Sequence, residues 1–129
     1  MPKTILVVDD SRFQQAANRR LLERAGYKVL SASDGHEALK VASSGSPDLI
    51  LLDMLLPKMT GPDVLKALKA NRTTSDIPVI AFSSLTQKNE ARLIEDGASG
   101  YYAKSRMEVN DGTELLALIQ SILRQKCLT

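Results

Sequence analysis

The sequence predicts an α/β protein: five parallel strands in one open, doubly wound sheet, with helices on both faces. Three observations carry that expectation. Short aliphatic runs alternate with longer amphipathic segments five times along the chain. The clearest run, Leu49-Ile50-Leu51-Leu52, shows no polar alternation, as expected of a strand buried on both faces. Strand–helix alternation at this spacing calls for right-handed crossovers and a parallel sheet. A fragment of a closed barrel is the other α/β layout; five units of this length close better as an open sheet.

Residues 5–8 (ILVV) read as the first strand. In the segment that follows, Phe13, Ala17, Leu21 and Ala25 recur every fourth residue and mark one helical face. Ser11 with Gln14 forms a capping-box pattern at its start, and Gly26 is a natural stop. Arg12, Arg19, Arg20 and Arg24 then fall mostly on the wet side. YKVLSA (27–32) is a weaker second strand, and Asp34-Gly35 turns the chain into a short helix with Ala38, Leu39 and Ala42 inward. DLILLD (48–53) is the third strand. Thr60-Gly61-Pro62 opens a third helix, with Pro62 suited to a first helical position and Val64, Leu65, Ala67 and Leu68 inward. PVIAF (78–82) is strand four; a helix from Leu85 ends at Gly97; GYYA (100–103) is strand five. The last helix, 112–126, carries Leu115, Leu118, Ile119 and Ile122 on its inward stripe, with Leu116 and Leu123 beside it as edge packing or a partner surface.

With 129 residues, 43% of them hydrophobic, the chain fits one domain with a core that needs no staple. The net charge of +2 is too small to argue for nucleic acid or an acidic membrane. The N-terminal apolar run is shorter than the about 7–15 residues of a signal peptide or the about 20 of a spanning helix. The single cysteine, Cys127, has no partner for a disulfide or a metal and reads as a frayed C-terminal residue. A cytoplasmic protein is expected.

Function is read at the strand ends. Asp9-Asp10 end strand one, Asp53 strand three, Ser83-Ser84 strand four and Lys104 follows strand five. In an open parallel sheet these ends share one edge, where ligands bind at the switch point of strand order. In the order 2-1-3-4-5, strands one and three are neighbours about 4.8 Å apart, so Asp10 and Asp53 approach each other with Asp9 beside them. Lys104 lies about 10 Å from strand three, within reach of a long side chain. Three carboxylates this close want a proton or a cation. Hard oxygen donors without His or Cys favour Mg²⁺, and an Asp beside it can take a phosphoryl group covalently. Each residue alone has a plain reading as solvation, a cap or a surface charge. Four independent strand ends agreeing makes the set specific.

With ILVVDD, DLILLDMLLPKMTG, PVIAFSS and GASGYYAKS in place, the whole chain resembles the response-regulator receiver domain of two-component signalling, the CheY-like family. The resemblance implies Asp53 as phosphoacceptor, and Asp10, Asp53 and the Leu55 carbonyl as ligands of Mg²⁺ or a substituting Mn²⁺, with Asp9 acting through water. It implies Ser83 and Lys104 as contacts of the phosphoryl group, and Tyr101 as the aromatic that turns inward on activation. A half-buried strand aromatic is the plain alternative for Tyr101. The implied partners are a sensor histidine kinase or phosphotransfer protein upstream, and a protein target or a second copy at the fourth helix, fifth strand and last helix. Nucleic acid and membrane are not expected as direct partners, nor is catalysis beyond self-phosphorylation and slow autodephosphorylation.

Two departures stand out. Receivers carry Pro after the lysine, often with a cis peptide; here it is Ser105, and a non-proline cis bond costs about 3 kcal/mol. The expectation is a trans bond with a rearranged loop, or a cis bond held by its surroundings. The positions that tune hydrolysis, Leu55 and Leu85, are apolar and cannot orient a water, so a long-lived phosphoryl group is expected. His36 reads as surface, and Met54, Met59 and Met107 as loop packing. Competing functions fit less well. A HAD-type phosphatase carries its nucleophile after strand one, an FMN carrier would set its phosphate against Asp9-Asp10, and a pseudo-receiver loses the acids this chain keeps. No helix-turn-helix or catalytic extension follows the last helix, so the chain is a stand-alone receiver or a piece of a longer regulator.

Overall fold

The structure, a computed structural model, describes residues 2–83, 90–106 and 112–128, without the side chains of Ser83, Glu90 and residues 126–128. Five strands, β1 (Thr4–Val8), β2 (Lys28–Ala32), β3 (Leu49–Asp53), β4 (Val79–Ser83) and β5 (Gly100–Ala103), form one parallel sheet in the order β2-β1-β3-β4-β5. The helices are α1 (Arg12–Arg24), α2 (Gly35–Gly45), α3 (Gly61–Ala70), α4 (Glu90–Glu95) and α5 (Thr113–Leu128). The expected fold class and strand order are both observed. A 3₁₀ turn over Lys104–Arg106, which the sequence pattern did not foresee, follows β5 directly.

Side chains alternate across the sheet with period two. Leu6, Val8, Ile50, Leu52, Val79 and Ala81 pack on one face against Ala38 and Ala42 of α2, Val64, Leu65 and Leu68 of α3, and Leu93 of α4. Ile5, Val7, Leu49, Leu51, Ile80, Phe82 and Tyr102 pack on the other against Leu22 of α1 and Leu115, Ile119, Ile122 and Leu123 of α5. All five residues of β3 are buried, as its unbroken aliphatic run requires.

Capping sets where the helices start. Ser11, Asp34 and Thr60 sit in extended backbone before α1, α2 and α3, and each side chain accepts the N–H three residues on. Pro62 lies in the first turn of α3. Gly26 ends α1 with φ +95°, a conformation L side chains avoid.

One expectation needs correction in part. The apolar stripe read for α1 is only partly its inward face: Leu21 packs against the core and Ala17 is half-buried, but Phe13 is 75% exposed, Ala25 is exposed, and the buried residues are Asn18 and Leu22. Gln15, on the same helix, is tied to the strand ends. Its side-chain amide donates to the carbonyls of Asp9 and Ala32, and to the Ser33 hydroxyl. Of the two readings of Leu116 and Leu123, edge packing is observed: Leu123 is buried and Leu116 packs against the same cluster. Cys127 lies within α5 and not beyond it. His36 is exposed, Met54 is buried in the core and Met59 packs against it, and the Lys104–Ser105 peptide is trans. Ser84, Leu85 and Met107 lie outside the described residues. No helix among the described residues is long and apolar enough to cross a membrane.

Candidate functional site

Alternation along the strands decides which side chains meet. Val7 and Leu51 point to the α1/α5 face, and two residues further on Asp9 and Asp53 continue the same parity past the sheet. β1 and β3 are neighbours, with Val8 opposite Leu52, which brings the two acids together. Tyr102 shares that face, so parity delivers Lys104 to it as well. One carboxylate oxygen from each of Asp9, Asp10 and Asp53 lies within 4.8 Å of the others. Asp9 and Asp53 are only 1% and 2% exposed, whereas Asp10 stands at the exposed rim.

The two buried acids are held alike. The Ser11 N–H donates to Asp9 Oδ1 at 2.9 Å, and the Leu55 N–H donates to Asp53 Oδ1 at 3.0 Å. Lys104 Nζ donates to the outer oxygens, 3.4 Å to Asp9 Oδ2 and 3.0 Å to Asp53 Oδ2. Beneath it lies Phe82, whose ring centroid is 5.4 Å from Nζ. Phe82 is set opposite Asp53 on one side and Tyr102 on the other. Burial lifts the Asp53 pKa above the ordinary carboxylate range. The Leu55 N–H and the Lys104 ammonium oppose that lift, and Asp9 adds to it. Burial works against the Lys104 ammonium, but hydrogen bonding and charge from Asp53, then charge from Asp9, prevail and raise its pKa.

The expected set is therefore mostly assembled. Asp9, Asp10, Asp53 and Lys104 converge, and Leu55 sits beside Asp53 with its side chain 54% exposed. Ser83 closes β4 opposite Ala103. Tyr101 is half-buried on the other face of the sheet, against the α2/α3/α4 cluster. Two contributors were not read from the sequence. Gln15 anchors the carbonyl of Asp9, and Phe82 floors the lysine. Parity along β4 could have found the second; nothing local marks the first.

A family model, the response regulator receiver domain, matches residues 5–110. The chain belongs to the response regulator receiver family. It is 37% identical over 105 residues to the polar-differentiation response regulator DivK of Brucella anthropi, across 81% of this chain and 85% of that one. It is 40% identical over 128 residues to the alkaline phosphatase synthesis transcriptional regulatory protein PhoP of Bacillus subtilis, spanning 97% of this chain but 50% of PhoP. Among solved structures, the CheY-like receiver domain protein of Methanospirillum hungatei superposes with a TM-score of 0.86 at 26% identity, over 98% of this chain and 97% of that one. Chemotaxis protein CheY4 of Vibrio cholerae gives 0.82 at 30% identity, over 93% and 98%. This is thus a receiver domain of a response regulator in two-component signalling, with a CheY-like fold and the acidic pocket at which receivers bind Mg²⁺. Response regulators take phosphate from histidine kinases and act on output partners.

Proposed function

We propose that residues 1–129 form a single receiver domain that accepts a phosphoryl group on Asp53 from a sensor histidine kinase or a phosphotransfer protein. One observation carries this reading: Lys104 Nζ sits between Asp53 and Asp9, at 3.0 and 3.4 Å, with Asp10 completing the acidic cluster. A carboxylate oxygen of Asp53 forms the O–P bond as the N–P bond to the donor imidazole breaks, and the imidazole takes a proton from solvent. The burial that raises the Asp53 pKa also makes its carboxylate more basic and so a better nucleophile. Lys104 and the Ser83 hydroxyl bind the transferred group's oxygens.

The donor set fits Mg²⁺, with Mn²⁺ as a substitute. Three carboxylates against one ammonium, 3 − 1, leave two uncompensated negative charges, all on hard oxygens. Asp10, Asp53 and the Leu55 carbonyl would hold the ion directly and Asp9 through a water. When bound it neutralises phosphoryl charge during transfer.

The phosphoryl group adds about −1.5 to −2 charges and three acceptor oxygens. Drawing Ser83 and Lys104 toward it shifts the loop after β4, lets Tyr101 turn inward, and changes the surface of α4, β5 and α5 offered to a target or a second copy. The chain catalyses only its own phosphorylation and slow dephosphorylation, in the cytoplasm. Mass spectrometry after incubation with Mg²⁺ and acetyl phosphate tests this. One added phosphoryl, absent in Asp53→Asn, is expected; label that persists in Asp53→Asn, or none with donor and Mg²⁺ in excess, refutes it.

A further inference from the structure

We propose that Arg106 and Glu114 are positioning residues that hold the Lys104 ammonium over the Asp9–Asp53 pair, acting through Tyr102 and Phe82. This deepens the proposed phosphoacceptor role and rests on it. Lys104 opens the 3₁₀ turn where the chain leaves the sheet, and neither Ser105 nor Arg106 is buried to anchor that turn. What ties it down comes from α5. The Arg106 guanidinium meets the Glu114 carboxylate as a two-pronged fork, Nε donating to Oε2 at 2.6 Å and a terminal nitrogen donating to Oε1. Such planar pairing fixes orientation as well as distance. Glu114 Oε2 also accepts from the Tyr102 hydroxyl at 3.5 Å.

The contact continues inward. Tyr102 is 5% exposed and stacks on Phe82, centroids 6.2 Å apart and planes 21° from parallel. Phe82 in turn lies under Lys104 Nζ. The path from Lys104 through Phe82, Tyr102, Glu114 and Arg106 closes on the lysine's own backbone, two residues on. A lysine carries several free torsions, and a ring that constrains both its stem and its backbone removes much of that freedom before a phosphoryl group arrives. Arg106 is exposed and Glu114 half-buried, so solvent screens the pair, it adds little to stability, and its value lies in geometry.

The test uses the full chain with Arg106→Gln, Glu114→Gln and the exchanged double variant Arg106→Glu/Glu114→Arg. Two quantities are read: the initial rate of Asp53 labelling by acetyl phosphate at saturating Mg²⁺, and the proton shifts of the Lys104 ε-methylene, which the Phe82 ring displaces. Each single variant is expected to slow labelling about tenfold and move the Lys104 signals toward those of a free lysine, with the exchanged pair restoring both. Unmoved Lys104 signals overturn the proposal, whether the rate falls or not, because the effect then does not pass through the lysine. If the parent takes up no phosphoryl group, the phosphoacceptor reading fails, and the Lys104 signals alone decide the clamp: displaced by the variants it stands, unmoved it falls.

Discussion

Removing a charge that the proposed metal site needs should stabilise the metal-free protein. Asp10 faces two other carboxylates within 4.8 Å, while the Lys104 ammonium is engaged by Asp9 and Asp53. Because Asp10 is exposed, its repulsions are taken at the dielectric of water, where 332/(80 × 4.8) gives about 0.9 kcal/mol for each of two pairs. The Lys104 charge still acts on Asp10 and offsets about one of the two, so Asp10→Asn removes about 0.9 kcal/mol of strain at low ionic strength, and about half that at physiological salt. An unfolding entropy of about 2.1 cal/mol/K per residue over 129 residues converts the low-salt figure to a rise in Tm of about 3 °C. Mg²⁺ reverses the order. An ion held at a hundred times its Kd stabilises the parent by about 2.7 kcal/mol, close to 10 °C here, while the variant has lost a ligand. Calorimetric scans with EDTA and with excess Mg²⁺ read both effects. A variant that melts no higher than the parent in EDTA, or that gains as much from Mg²⁺, refutes the reasoning.

Gly61→Ala should disturb the end of β3, which carries the proposed phosphoacceptor, because the added Cβ would stand 2.3 Å from Met54 Cα and 2.7 Å from the Asp53 carbonyl oxygen. Backbone cannot swing aside like a side chain, so a loss of about 3 kcal/mol in urea unfolding and slower labelling of Asp53 are expected. Asn18→Leu should raise stability by about 1–2 kcal/mol in the same assay, since the Asn18 Nδ2 is buried without a hydrogen-bond partner among the described residues; a loss would mean that the amide is satisfied. The Asp34 pKa is lowered, chiefly by the Glu37 N–H it caps and next by the charge of Lys58. Asp34→Asn should therefore be less stable than the parent near pH 7, with the gap closing as pH falls below the ordinary carboxylate value of about 3.9 and through the folded pKa; a gap constant from pH 6 to 3 would contradict that cause. Leu55→Asn/Leu85→Glu should shorten the life of the phosphorylated form, followed by loss of label, and an unchanged or slower decay argues against the hydrolysis reading.

Strand chemistry made most of this molecule legible. An unbroken aliphatic run announces a buried parallel strand, and counting by twos from Val7 and Leu51 places Asp9 and Asp53 on one side of one edge. What escaped notice depends on contacts distant in sequence. The apolar repeat from Phe13 to Ala25 looks like a core stripe. Only its middle, Ala17 and Leu21, turns inward; Phe13 and Ala25 face solvent, and Gln15 bonds the carbonyls at the ends of β1 and β2, contacts that hydrophobic periodicity does not register. The 3₁₀ turn at Lys104 was invisible for the same reason: its hold on α5 runs through Arg106 and Glu114. Ser105 after the lysine signalled a departure there without saying what replaces the proline.

The pocket presents two buried acids with the same local dress, and the question is why Asp53 and not Asp9 should take the phosphoryl group. Each gives one oxygen to the N–H two residues on and the other to Lys104. Their covers differ. Ser11 begins α1 immediately after Asp10, and Gln15 fastens the Asp9 carbonyl to that helix and to the end of β2, so exposing Asp9 would break a hydrogen-bonded turn. After Asp53 the chain runs irregularly from Met54 to Thr60 before α3 begins, with Leu55 projecting into solvent. A loop held by few bonds opens at far lower cost than a helical first turn. Asp53 also sits on the strand between β1, which ends in Asp9 and Asp10, and β4, so a group on its oxygen meets the proposed cation ligands on one side and the end of β4 on the other. Asp9 has β2 on its far side, where Ala32 ends the strand with no charge to offer. Strand order, more than acidity, thus favours Asp53 over Asp9 as the proposed phosphoacceptor.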